Sequence, residues 1–118
     1  MFENFSKYRK GLPGSQVLAA AVFNTLIESG IELTESATSG AIVSRPNAVV
    51  IETIHTRRAV LTVSLYGPPD EYSTRGFDRF LVRARKGYAR ARFTAGDLDA
   101  AVAMTRLAIA FKRKACKG

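Results

Sequence analysis

The chain has no tryptophan, one histidine and one cysteine, and only ten acidic residues against eighteen basic ones. Each shortage closes off some chemistry. Cys116 has no partner for an intramolecular disulfide and no companions for a multi-cysteine metal site. The acids never pair at a spacing that would hold a hydrolytic metal ion, and Glu52 is a lone strand carboxylate. There is no glycine-rich phosphate loop, zinc signature or nucleophile elbow. His55 ends a strand with no carboxylate committed to it, so a structural histidine outranks a general base working beneath a lid at 67–76. The reading therefore leans away from an enzyme and expects no cofactor and no metal. No apolar run approaches the ~20 residues of a membrane span, and residues 1–10 lack the apolar core of a signal peptide. A cytoplasmic protein with no membrane partner is expected.

What is present is base, and it is clustered. The net charge is +8, with seven Arg or Lys against Asp78 in residues 75–92 and five, with no acid, in 106–118. Such clustering is the electrostatic footprint of a polyanion binder, although many small basic proteins carry charge for solubility alone. At 118 residues the chain is long enough for one domain with its own core.

Residues 1–14 read as a flexible basic and aromatic arm, and 15–118 as a single α+β domain. Ser15 is a plausible N-cap for a helix over 16–29, with Leu18, Ala21, Val22, Thr25 and Leu26 on one stripe and Gly30 at its C′ position. Strands are expected at 31–35, 40–44, 48–55 and 59–66, the last two joined by Thr56-Arg57-Arg58. That loop places Val49, Ile51, Thr53 and His55 on the core side. It leaves Val50, Ile54, Val60 and Tyr66, with Leu81 beyond, on a face more apolar than plain solvent exposure requires. The segment 67–76 is the longest irregular stretch, read as a mobile loop.

Residues 79–93 carry the strongest signal. Alternation on either side of Lys86-Gly87 predicts a β-hairpin in which Phe80 faces Phe93, Val82 faces Ala91 and Ala84 faces Ala89 on the core side. The other face then gathers Arg83, Arg85, Tyr88, Arg90 and Arg92. Arg83 opposite Arg90 is destabilising across a ladder unless an anion, a neighbouring Glu or solvent tolerates it. Thr94 and Asp97 resemble a capping box for a final helix with Leu98, Ala101, Val102, Thr105, Ala108 and Ile109 on one stripe. Lys112, Arg113 and Lys114 crowd its C-terminal end.

The expected fold is α+β: a single antiparallel sheet of about five to six strands, with an N-terminal and a C-terminal helix packed on one face, in the order α-β-β-β-β-β-β-α. Two functions from different classes fit it. One is a non-enzymatic binding module contacting RNA or DNA backbone through Arg83, Arg85, Tyr88, Arg90 and Arg92, supported by Lys112, Arg113 and Lys114. The other is a homodimer or partner-protein interface built on Val50, Ile54, Val60, Tyr66 and Leu81.

The strand leading into Thr94-Ala-Gly-Asp-Leu-Asp99 and the helix Ala100–Phe111, together with Val43-Ser-Arg45 and Arg57-Arg58-Ala-Val-Leu61, resembles an uncharacterised bacterial α/β domain family. Its members stand alone or beside nuclease-like or transport-associated proteins. The resemblance spans residues 15–112 and implies no catalytic residues. Phe80–Phe93 is also similar in texture to the basic hairpin of ribosome-dependent ribonuclease toxins, which place two helices before the sheet where this chain is expected to have one.

Overall fold

A computed structural model describes residues 2–82 and 88–117. A single-turn 3-10 segment (Phe2–Asn4) and a short helix α1 (Ser6–Lys10) lead into α2 (Pro13–Glu28). Six strands follow: β1 (Glu32–Glu35), β2 (Ile42–Arg45), β3 (Val49–Ile54), β4 (Val60–Tyr66), β5 (Leu81–Val82) and β6 (Tyr88–Thr94). A short helix α3 (Pro69–Tyr72) lies between β4 and β5, and α4 (Leu98–Lys117) closes the chain. The strands form one antiparallel sheet in the order β1-β2-β3-β4-β6-β5. Helices α2 and α4 pack on the same side of it, the α+β arrangement that the strand and helix patterns predict. No helix among the described residues is long and apolar enough to cross a membrane.

Helix α2 begins earlier than Ser15, because Pro13 already has the backbone angle that a first helical residue needs. Ser15 is instead buried. Its hydroxyl donates to the Arg58 carbonyl at 2.8 Å and accepts from the Val60 N–H at 3.1 Å, tying the helix to the β3–β4 connection. Leu18, Ala19, Val22, Phe23 and Leu26 enter the core at helical spacing. Gly30, at φ 76°, then turns the chain so that Ile31 N–H reaches the Leu26 carbonyl and Gly30 N–H the Ile27 carbonyl, closing the helix end.

Residues 2–10, within the 1–14 stretch expected as an arm, form a 3-10 turn and α1 joined at Phe5, and they are packed. Phe2, Phe5 and Tyr8 surround the buried Phe23 ring at centroid distances of 4.8, 5.8 and 5.9 Å. Two helices therefore precede the sheet rather than one. The segment 67–76 is not an open loop either. Tyr72 is fully buried against Phe111, and its hydroxyl donates to the Tyr66 carbonyl at 2.5 Å. Asp97, rather than Thr94, stands directly before α4, and its carboxylate accepts the Thr94 N–H and hydroxyl, both at 2.8 Å.

Two registers depart from expectation. In β3–β4, Val49/Leu65 and Ile51/Val63 pair as expected, but the register then shifts, giving Thr53/Thr62 and Ile54/Leu61. Glu52 is the extra residue of a β-bulge, and everything after it changes face. Ile54 turns into the core at 3% exposure, whereas Thr53 and His55 go to the opposite side. In β5–β6, Leu81 faces Ala91 and Val82 faces Arg90, one residue off the expected ladder. The reason is local: Asp78–Phe80 forms a 3-10 turn, so Phe80 reaches the core from outside the strand. Leu81 consequently packs towards the core and Val82 lies on the arginine side. Phe80, Ala89, Ala91 and Phe93 are buried as the pattern demands. Ala84, Arg83, Arg85 and the Lys86-Gly87 turn lie outside the described residues.

Candidate nucleic-acid interface

With the helices on one side, the even-numbered residues of β6 and β4 form the other face of the sheet. Cross-strand partners set its rows: Tyr66 beside Tyr88, Ser64 beside Arg90, and Thr62 beside Arg92. Val50 and Val43 extend the middle row towards β2, and Thr53 extends the next. The two tyrosine rings meet edge to face, 6.0 Å between centroids. Lys112, from the last turns of α4, reaches round the sheet end to place its ammonium 4.7 Å from the Tyr66 ring centroid, a cation–π contact.

Arg90 and Arg92 differ in kind. Arg92 is exposed. Arg90 forms an ion pair with Glu52, NH2 lying 3.1 Å from Oε1, with side chains 40% and 28% exposed. Ser64 Oγ donates to the other carboxylate oxygen of Glu52. The bulge thus turns an isolated strand acid into an oriented group at the middle of a basic face. Lys7, projecting from α1, donates to the Glu52 carbonyl at 2.6 Å, beyond the last β2 pairing at Ile42/Ile51. Arg90, Glu52, Ser64 and Tyr88 form the sheet side of a cleft of about 610 Å³, whose rim is completed by Lys7, Ser39 and Asn47.

His55 is on this same face, its Nε2 3.0 Å from Thr62 Oγ1. Partial burial first, then the positive charges of Arg92 and Arg58, hold its pKa below the ordinary histidine value. Folding therefore favours the neutral ring. That stabilisation is complete above the unfolded value near 6.5 and is lost as pH falls towards the folded one. Thermal melts are expected to give a lower midpoint at about pH 5 than at about pH 7, with the difference reduced in His55→Gln. An unchanged difference in that variant would assign the pH dependence elsewhere.

The other expected binding residues divide. Arg113 donates to the Ser29 carbonyl at the end of α2, so it belongs to the helix layer, and Lys114 is exposed on the same helix. Arg75 lies over Phe111 and Arg79 over Phe80, both held by the helix side of the molecule. Of the five residues proposed for an apolar interface, Ile54 and Leu81 face the core and Val60 is 7% exposed, while Val50 lines the cleft and Tyr66 is half-buried against Tyr88. Sequence reasoning missed Lys7, Ser64 and the role of Glu52. The readable signal was that Glu52 is the one charged residue of β3.

No group of three or more His, Cys, Asp or Glu that could hold a metal ion occurs among the described residues. Comparison with protein-family models, curated proteins and solved structures finds no match. The chemistry of the face must speak for itself.

Proposed function

We propose that this open face binds single-stranded RNA or DNA. The observation that carries the reading is one strand, β6, presenting Tyr88, Arg90 and Arg92 on the side of the sheet that α2 and α4 leave free, with Tyr66 and Lys112 drawn to the same end. Arginine forks match phosphate oxygens, and tyrosine faces accept stacked bases whatever their identity. The rival reading, self-association through apolar surface, is weakened by the turning of Ile54 and Leu81 towards the core.

Binding through about four phosphates predicts a salt slope near −3, hence about 50-fold weaker affinity at about 200 mM than at about 50 mM salt. Fluorescence anisotropy of labelled single strands measures it. Arg92→Glu combined with Lys112→Glu should flatten the slope and weaken binding. Neither side chain is in an ion pair with an acid of the described residues, so circular dichroism should show a retained fold. No binding at the lower salt, or binding untouched by the double substitution, would overturn the proposal.

A further inference from the structure

Tyrosine stacking and arginine–phosphate contacts are indifferent to base identity, but the cleft beside them contains a carboxylate. A carboxylate on a surface that binds a polyanion opposes that binding; Glu52 offsets the charge of Arg90, and its place in the cleft also suits recognition. Glu52 is also held in place: Arg90 pairs with one oxygen and Ser64 donates to the other, and a carboxylate offers about four lone-pair sites, so acceptor capacity remains for a ligand. Arg90 is likewise incompletely used. Its NH2 is paired with Glu52 and its shielded Nε has no hydrogen-bond partner, so the side chain, 40% exposed, has N–H groups that a small turn could offer to the cleft.

We infer that the cleft is a guanine-selective pocket for one base of the bound strand. The inference rests on the single-strand reading above. The Arg90–Glu52 pair offers donor beside acceptor beside acceptor. Among the four common bases, guanine alone presents the complement on its Watson–Crick edge: the O6 acceptor, then N1–H, then the N2 amino group. Adenine and cytosine each set an acceptor nitrogen beside their amino group and would confront the carboxylate with it. Uracil has a single N–H between two carbonyls. Tyr88 at the cleft wall supplies a stacking surface, Lys7 at the rim a cation for the attached phosphate, and about 610 Å³ is within the range of small-molecule sites.

The test uses the full chain and short oligouridine strands with one central guanine, inosine, adenine or cytosine. Guanine should bind about tenfold tighter than adenine or cytosine. Inosine, which lacks only the N2 amino group, should fall between. Glu52→Gln, which replaces one acceptor by a donor and keeps the bulge residue in place, should abolish the ranking. Equal affinity for all four strands, or a ranking that survives Glu52→Gln, overturns the pocket and leaves backbone binding standing. If no strand binds, backbone binding fails, and calorimetry with guanosine monophosphate decides the pocket alone. Binding lost in Glu52→Gln upholds it, and no binding to the unaltered chain overturns it.

Discussion

Phe23→Ala is expected to lower the unfolding free energy by about 3–5 kcal/mol, the range for emptying a phenylalanine from a packed core. Phe23 is fully buried, and three other aromatic rings lean on it. Partial collapse is the main means of reducing such a cost, and α1 is the neighbour best able to move. Collapse there would not come free, because the same helix places Lys7 at the Glu52 carbonyl and Gly11, just after its end, lies against Ile54. Urea denaturation followed by circular dichroism measures the loss. Tryptic cleavage after Lys7, Arg9 and Lys10 should accelerate alongside it as the helix loses its anchor. A loss below about 1 kcal/mol, with unchanged cleavage, would show that the N-terminal helix does not depend on this ring.

Removing Glu52 from the chain should damage the protein far more than changing its side chain. Glu52→Ala deletes one partly exposed ion pair, of the kind worth about 0–1 kcal/mol, together with the hydrogen bond from Ser64, and leaves the extra residue of the bulge in place. Deletion removes the bulge itself. Either Ile54 and His55 exchange faces, or the strand slides against Leu61 and Thr62. Both outcomes empty the place of Ile54 beneath Gly11, so the expected cost is at least the ~2–5 kcal/mol of an isoleucine cavity. Paired melts of the two variants separate the effects. Equal midpoints would mean that the register after residue 52 is not fixed by the extra residue.

The same bulge marks where reading the sequence stops working. Strands and helices were legible because alternation and three-four spacing follow directly from burial: Val49, Ile51, Val63 and Leu65 could face only one way. A bulge has no composition of its own when neither glycine nor proline makes it. The run Ile51-Glu52-Thr53-Ile54 alternates acceptably, and a three-residue loop after His55 gave a self-consistent hairpin. Alternation alone therefore puts Ile54 and His55 on the wrong faces. Phe80 misled differently. It is buried as expected, but from a turn rather than from the ladder, and this displaced the register by one residue. Tyr72 could not be foreseen, because its burial depends on Phe111, nearly forty positions away. Of the candidate site, the basic strand was visible. The acid at its centre was visible only as an oddity, since its partners Ser64 and Arg90 come from two other strands.

The strand order also distributes charge unevenly across the sheet. At one border β1 presents Glu32 and Glu35, both exposed; four strands away β6 presents Arg90 and Arg92. The protein is thus electrically lopsided along the direction of its backbone hydrogen bonds, despite a net charge that is simply positive. Arg45 of β2 stands opposite Glu32, so the β1 border is near balance, and polyanions approaching in dilute salt would meet the stronger positive field over β6. The acids at β1 serve a second purpose, because an exposed strand border with like charges resists pairing with the same border of another copy.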